Sequence, residues 1–490
     1  MKPRVLMIVL PYIINDGSTR SYHAFPYGVL SMVTYNKDLA EFKVLDLNNE
    51  SLNYGNLCQV LEDFQPDIVG MTMMFDVSYV YLKDVLLIIR VNCPKCLTIL
   101  GGAAASYSYE EILNEQPNLD AICYSEGEIP FRDLLSGKFS YIVDSASRMS
   151  LLHPSFVTKK TLEHKSIPKI SYIENLDDVI DIDYSFVNPS TYDMQEAFSP
   201  FVDNKKHKQF SIVTSRGCPF ECTFCSNGKM HGKKMRFASV DRIINHVRSL
   251  IDQYGMDVLT IYDDQLLIDI PRAKELFYQL TPFKLRIEMP NGLSPKFIDA
   301  EMAHQMKKAG VDTAYLAIES GSEDVLENLI HKPLKLSMVK PVVEWLRTEG
   351  IFCHGFFVMG MPGETHEHRM ETERFIGDVD LDWAGLGMAM PLRGSQLYKD
   401  CVKNDWIPKI PIGESIGRKY IINIPGIDPK DVEDEVYQMN LRVNFHRNRR
   451  IRIGDYKTAA RCFEEVIKRY EGHKVAKHYL QICRERIKEK

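Results

Sequence analysis

Nowhere in these 490 residues do roughly eighteen apolar residues follow one another, the length a helix needs to cross a bilayer. A membrane span is therefore not expected. The apolar stretch near the start, "RVLMIVL" (4–10), is too short and has no cleavage pattern behind it, so it reads as a buried strand. The chain also lacks the even, regular cysteine spacing of a secreted disulfide framework. Its eleven cysteines are odd in number and unevenly placed, which suits a reducing cytoplasm. Net charge is −6, but residues 442–490 hold fifteen Lys and Arg against six Asp and Glu, a local +9, so the remainder carries −15. An acidic bulk is no footprint for nucleic acid.

What is present, 45% apolar, 26% charged and 10% aromatic residues, describes a soluble globular protein of two or three domains. Residues 1–137 alternate apolar runs with helix-length segments. Strands are expected at 4–10, 43–47, 67–73, 97–102 and 120–124, and residues 78–91 repeat their apolar positions every three and four. Continuously apolar strands between helices predict a parallel sheet covered on both faces, a Rossmann-like domain. Residues 138–204 lose this rhythm and fill with Pro, Asp, Ser and Tyr, which reads as a linker. Between 205 and 405 the alternation returns, with strands expected at 210–214, 257–262, 284–289, 312–318, 352–358 and 384–390. Six βα units of this kind predict a (β/α)6 partial TIM barrel, whose chemistry belongs at the carboxyl ends of its strands. Residues 406–490 read as a helical extension ending in one tetratricopeptide-like helix pair, which cannot bury its own face and is expected to pack on the barrel. The run "RNRRIR" (447–452) has no aromatic interleaving and reads as a solvated helix face.

The densest chemistry lies in "TSRGCPFECTFCSNGK" (214–229), just past the first barrel strand. Cys218, Cys222 and Cys225 are spaced C-x3-C-x2-C, with Phe224 directly before the last. A structural zinc site needs four closed ligands, usually as two knuckles, and no second pair follows here. Three thiolates suit a cubane iron–sulfur cluster with one iron left open to a ligand, unlike a four-cysteine electron carrier. Gly217 frees the backbone to turn around such a group.

This spacing ahead of six βα units resembles the radical S-adenosylmethionine (SAM) superfamily over about residues 205–405. The resemblance implies a [4Fe-4S] cluster on the three cysteines, with SAM on the open iron and reductive cleavage to a 5′-deoxyadenosyl radical. It also implies that Phe224 lies over the adenine through its backbone. "YDDQ" (262–265) places Asp263, Asp264 and Gln265 where the family has polar groups near SAM. "AIESGSEDVLENL" (317–329) places Glu319, Ser320 and Gly321 where the family binds the ribose and carboxylate. Glu319 would stand out in any case, because a carboxylate beside "AYLAI" needs a partner. "FFVMGMPGET" (356–365) and "PLRGSQLY" (391–398) resemble the family's turns after the fifth and sixth strands, with Ser395 where the family has Thr.

The first domain resembles the cobalamin-binding domain that precedes the barrel in one radical SAM class. The stretches that carry this likeness are "PYGVLSMVTY" (26–35), "DIVGMTM" (67–73), "TILGGAAAS" (98–106) and "YSEGEIPFRDLL" (124–135). They imply a cobalamin rim of Thr72, Gly101, Gly102 and Ala103 with Glu126, Gly127 and Glu128. Ser125 stands where the family usually has Gly, and the D-x-H-x-x-G motif that offers a histidine to cobalt is absent. The implied activity is a C-methyltransferase acting on an unactivated carbon through the adenosyl radical and methylcobalamin. The alternatives are a non-methylating reaction of the same cofactors, such as cyclisation, rearrangement, oxidation or carbon–carbon coupling, or a non-catalytic cobalamin-binding module. No general base is named, since hydrogen-atom abstraction requires none. The implied partners are an external one-electron donor, such as flavodoxin or ferredoxin, and a small-molecule, lipid or peptide substrate. Cys93 and Cys96 read as structural, and Cys58, Cys123, Cys353, Cys401, Cys462 and Cys483 as core. His231, His354 and His366 read as structural too.

Overall fold

The computed structural model describes residues 2–12, 24–49, 53–138, 153–192, 207–414 and 420–489. The chain divides into two units, the first comprising Met1–Gln195, Lys229–Arg242 and Ile410–Gly417, the second Glu196–Gly228, Ile243–Lys409 and Arg418–Lys490.

The first unit is built on strands β1 (Arg4–Val9), β2 (Glu41–Asp46), β3 (Ile68–Thr72), β4 (Leu97–Gly101), β5 (Ala121–Cys123) and β6 (Phe156–Val157). They form one sheet in the order β2-β1-β3-β4-β5-β6. The first five run parallel and β6 antiparallel. Because successive side chains of a strand point to opposite faces, apolar strands need cover on both sides. Leu6, Ile8, Val69, Met71 and Leu100 meet helices Tyr54–Phe64 and Tyr79–Asn92 on one face. Val5, Met7, Ile68 and Ile99 meet helices Tyr27–Asn36 and Glu128–Leu135 on the other. Each fully buried aliphatic side chain contributes about 1.5–3 kcal/mol, so leaving either face bare would forfeit half the core. The sheet reverses its order between β1 and β3, and a doubly wound sheet takes ligands at the carboxyl ends beside that point.

Residues 153–192, within the stretch expected to be a linker, belong to this first unit. They add β6 to the sheet and bury Ile173, Leu176, Val179, Ile180 and Tyr184. Their Asp- and Asn-rich composition makes short turns: Asn175, Asp183 and Asn188 each accept a backbone N–H two residues on. The expected linker residues 139–152 and 193–204 lie outside the described residues.

The second unit carries β7 (Gln209–Ile212), β8 (Val258–Ile261), β9 (Arg286–Glu288), β10 (Thr313–Glu319), β11 (Phe352–Met359) and β12 (Trp383–Met388). Their ladders are all parallel. They form two three-stranded sheets, β9-β8-β7 and β10-β11-β12, joined by bridges at Ile287–Val311 and Leu293–Leu316. This is the partial barrel the alternation predicts. Helices Ile270–Leu280, Ala300–Ala309, Val339–Thr348 and His366–Val379 follow successive strands, the first capped by Asp269, the second by Asp299 and the last by a Thr365 capping box.

The C-terminal helix pair, Tyr456–Arg469 and Lys474–Lys488, shares one apolar cluster with Phe352 and Trp383 of β11 and β12. "RNRRIR" is only partly a solvated face: Arg447 and Arg452 are 65% and 53% exposed, but Arg449 and Arg450 only 10% and 16%. Arg449 pairs with Asp380 and Asp382, Arg450 with Asp382 and Asp455, Arg452 with Asp380, and Arg447 with Glu373. Apart from Asp455, the acids that absorb this run lie some 67 to 74 residues away in the chain. Cys93, Cys96, Cys123, Cys353, Cys401, Cys462 and Cys483 are buried, whereas Cys58 is half-buried. Among the described residues no helix is long and apolar enough to cross a membrane.

Candidate iron–sulfur and cobalamin sites

The cysteine loop is held at both ends by groups other than its thiols. Where β7 ends, Asp263 accepts the Thr214 N–H at 2.6 Å and the Ser215 hydroxyl at 2.7 Å, with the Thr214 hydroxyl as a third donor. Arg272 donates to the Thr214 carbonyl at 2.9 Å. Burial pushes the Asp263 carboxyl up despite these donors, so this carboxylate is committed to the strand end. Gly217 turns the chain with φ 99°. Inside the loop, the Thr223 N–H donates to the Ile330 carbonyl at 2.9 Å and its hydroxyl to the Leu329 carbonyl at 2.7 Å. Its own carbonyl accepts the Leu397 N–H at 2.8 Å. Asp264 accepts from the Asn227 amide at 2.8 Å, and the Gln265 side chain hydrogen-bonds the Cys218 sulfur. Phe224 is half-buried between Thr223 and Cys225.

Loss of solvation around the sulfurs holds all three thiols above their ordinary range, Cys222 at about 12. A metal binding here has to displace protons and supply the charge that makes thiolates. Among the described residues no three Cys, His, Asp or Glu side chains converge on a single ion. Three soft thiol ligands suit a cubane, in which each thiolate takes its own iron.

Beside the loop, β10 ends in a bulge between Ala317 and Glu319, and Glu319 sits at φ 72°. A non-glycine residue in that region costs about 1–3 kcal/mol unless its surroundings hold it. They do so through a buried lysine: Lys332 Nζ lies 3.0 Å from Glu319 Oε1, with side chains 7% and 11% exposed. Burial pulls the Lys332 ammonium down, yet Glu319 and the Cys222 and Cys218 sulfurs leave it above its ordinary value. Lys332 is the partner that "AYLAIE" requires, and nothing in its local sequence announces it. The next residues are pinned to helix His366–Val379: the Gly321 N–H donates to Thr372 Oγ1 at 3.0 Å, and the Ser320 hydroxyl lies 3.3 Å from the same oxygen. A Cβ on Gly321 would stand 2.6 Å from the Thr372 backbone, so the close approach admits glycine alone.

In the fifth-strand turn, Glu364 accepts the Gly360 N–H, and its other oxygen, buried, has no hydrogen-bond partner. The Arg369 guanidinium stands 3.8 Å away. Burial, only partly offset by Gly360 and Arg369, raises the Glu364 pKa to about 7. A carboxyl raised in the folded state stabilises it below its unfolded pKa of 4.5, and that contribution is lost as pH rises through about 7. Between pH 5 and pH 8 the protein is therefore expected to lose more stability than Glu364→Gln does, by at most about 3 kcal/mol. Urea midpoints of both at the two pH values measure the difference, and parallel losses would refute it.

In the first unit, Thr72, Gly101, Gly102 and Ala103 sit together at the ends of β3 and β4, with Ser125 to Glu128 following β5. Gly102 has φ 98°, and a Cβ there would stand 2.5 Å from the Met73 carbonyl oxygen. Ser125 holds φ 69°, the geometry that explains the glycine usual there, and its N–H is taken by Ser106 Oγ at 3.0 Å. A Cβ on Gly127 would stand 3.6 Å from the Met32 side chain and 3.9 Å from the Cys123 sulfur. The two carboxylates are engaged within the protein. Glu126 Oε1 and Oε2 receive Arg236 at 2.7 and 3.0 Å, and His231 Nδ1 lies 2.8 Å from Oε1. Glu128 accepts the Ser31 hydroxyl at 2.6 Å. Arg236 and His231 belong to this unit although they follow the cysteine loop in sequence. Sequence reasoning gave Arg236 no role and His231 only a structural one.

A doubly wound sheet with a glycine-lined rim, and a parallel partial barrel with three thiols past its first strand, define a barrel enzyme built around an iron–sulfur cluster. The B12 binding domain profile matches residues 17–135 and the Radical SAM superfamily profile residues 212–376. The chain is thus a member of the radical SAM superfamily in the class that carries a cobalamin-binding domain, and the cofactors of that class are a [4Fe-4S] cluster, SAM and cobalamin. It is 29% identical over 437 residues to cytidylyl-2-hydroxyethylphosphonate methyltransferase of Streptomyces wedmorensis, covering 83% of this chain and 80% of that one. It is 24% identical over 385 residues to anaerobic magnesium-protoporphyrin IX monomethyl ester cyclase of Cereibacter sphaeroides, covering 77% of this chain and 59% of that one. The structure of the radical SAM methyltransferase TsrM from Kitasatospora setae, with cobalamin and a [4Fe-4S] cluster bound, superposes with a TM-score of 0.64. That likeness is at 16% identity, covers 88% of this chain and 84% of that one, and is one of fold.

Proposed function

We propose that the chain is a cobalamin-dependent radical SAM C-methyltransferase that methylates an unactivated carbon of a small molecule. The observation that carries this reading is the pinned, three-thiol loop at the head of a barrel in a chain that also holds a glycine-rimmed B12 domain. When bound, the cluster would supply the electron that opens the SAM sulfonium, and cobalamin would carry the methyl group.

The chain's own residues would do the holding. Cys218, Cys222 and Cys225 take three irons. Asp263 fixes the strand end before them, and Thr223 fixes the loop between the second and third. Glu319, Ser320 and Gly321, with Phe224 and Asp264, would bind SAM, and Gln265 steadies the Cys218 sulfur. Thr72, Gly101, Gly102, Ala103 and the backbone of 126–128 would receive cobalamin, Glu126 and Glu128 acting by shaping that backbone. An external one-electron donor and a cytoplasmic location complete the reading. The magnesium-protoporphyrin cyclase relative supports a second outcome, ring formation without methyl transfer, by the same machinery.

Anaerobic turnover with SAM deuterated in its methyl group is expected to place the label in the product and release 5′-deoxyadenosine. Unlabelled product with 5′-deoxyadenosine favours the second outcome. Neither label nor 5′-deoxyadenosine refutes the enzyme reading.

A further inference from the structure

The last strand of the barrel has an open side. In the sheet β10-β11-β12, only β11 pairs with β12 among the described residues, which leaves the far edge of β12 without a neighbouring strand. In a parallel ladder, residues bonded to the neighbour alternate with residues whose N–H and C=O point away. Ala384 points away, and the Asn444 carboxamide takes both of its groups. Asn444 Oδ1 accepts the Ala384 N–H at 2.8 Å, and Nδ2 donates to the Ala384 carbonyl at 2.7 Å. Ala389, of the opposite parity, donates to the Met359 carbonyl of β11 at 2.7 Å. Leu386, two residues beyond Ala384, therefore also turns its N–H and C=O outward. Among the described residues no group is hydrogen-bonded to that outward pair.

Leu386 lines a cavity of about 430 Å³, within the roughly 300–1,000 Å³ usual for small-molecule sites. Its walls are largely aromatic. Trp383 and Phe445 meet edge to face at 5.8 Å, and His473 stacks on Phe445 at 5.1 Å. Tyr437 and Tyr470 line it too and stay 49% and 48% exposed. Asn444 shows what this edge accepts: one flat group with an acceptor beside an N–H. It is presented by the π-helical turn Arg442–His446, a form that occurs frequently at functional sites. An added peptide strand does not fit, because Ala384 is already closed and only Leu386 to Met388 remain of the strand. A heterocycle with the same acceptor–donor edge does fit, since its faces suit the aromatic walls.

We propose that this cavity binds a nucleobase, its edge paired with the N–H and C=O of Leu386 and its ring against the aromatic walls. The inference goes beyond the methyl transfer proposed above and does not depend on it, since binding is read without turnover.

The test is equilibrium dialysis of the full-length, anaerobically reconstituted protein against uridine, cytidine, adenosine and guanosine. SAM is present in excess to occupy its own site, and no reductant is added. At least one nucleoside is expected to bind at a single site per chain, and its analogue methylated at the edge donor about tenfold more weakly or worse. Leu386→Pro removes the outward N–H without touching the ladder to β11, and should weaken binding by about tenfold. Val466→Trp sets a large ring into the cavity and should abolish binding. Both variants should keep the far-UV circular dichroism of the parent. No binding by any of the four, a methylated analogue that binds as well as its parent, or parent affinity in either folded variant overturns the inference. Binding of N-acetylalanine N-methylamide in place of the nucleosides overturns it too, and assigns the edge to a peptide. Should one variant fail to fold, the other and the methylated analogue decide. A protein that binds the base but forms no cubane overturns the methyltransferase reading and leaves this inference standing.

Discussion

Cys222→Ala is expected to keep the fold and lose the chemistry entirely. The loop does not depend on the thiol for its shape. Asp263 holds the strand end before it, and Thr223 holds its centre through bonds to Leu329, Ile330 and Leu397. Removing one sulfur therefore leaves a preformed loop with two ligands where a cubane needs three to leave a single open iron. Cys222 is also the thiol that iron must work hardest to deprotonate, at about 12, and the one most exposed to the charge of Lys332. After anaerobic reconstitution, iron and sulfide in Cys222→Ala should fall to background. The cubane absorbance and its electron paramagnetic resonance signal should vanish, and 5′-deoxyadenosine should not exceed a protein-free control. Far-UV circular dichroism should match the parent. Cys93→Ala, at a buried cysteine of the other unit, should retain the full cluster content. A Cys222→Ala protein that still holds a cluster and cleaves SAM at the parent rate would remove the foundation of the proposed function.

The cysteine loop was legible because its information is local: three sulfurs within eight residues, a turn glycine ahead of them and a strand before that. The strand and helix rhythm was legible for the same reason, since period and burial are written into consecutive residues. The partners of buried charges were not. "AYLAIE" announces that Glu319 needs a cation, but Lys332 lies 13 residues on, in a segment that reads as surface because lysine is so seldom buried. Glu126 and Arg236 are 110 residues apart, with the cysteine loop between them. The arginines of 447–452 looked solvated because Asp380 and Asp382 belong to the barrel, outside any local window. Residues 153–192 looked like linker because turns capped by Asn and Asp have the composition of loops, although they bury eight apolar side chains. Spacing reveals what one element can do; which distant side chain closes the ion pair is settled only when the elements pack.

Arg236→Met is expected to destabilise the first unit by about 3–5 kcal/mol, the cost typical of stripping one partner from a buried ion pair. Both side chains are 2% exposed, and the guanidinium makes a two-pronged contact with Glu126 while also donating to the Ile173 carbonyl at 2.6 Å and the His231 carbonyl at 2.9 Å. It further packs 4.5 Å from the Tyr172 ring centroid. Without it, Glu126 is left buried without its bidentate cation, although His231 and the Ile173 N–H remain beside it. The loop that carries Glu126 follows β5 at the glycine-lined rim, so the rim should loosen first. Hydrogen exchange should therefore rise in peptides spanning 121–135, 170–180 and 229–242, while peptides of β10 and β11 in the second unit keep their protection. Arg236→Met with Glu126→Gln should recover part of the loss, because replacing both charges removes the stranded carboxylate that makes the single change costly. Urea denaturation followed by circular dichroism gives the size of the effect, and exchange gives its location. An Arg236→Met protein within about 1 kcal/mol of the parent, with unchanged exchange at 121–135, would show that this ion pair does not hold the rim.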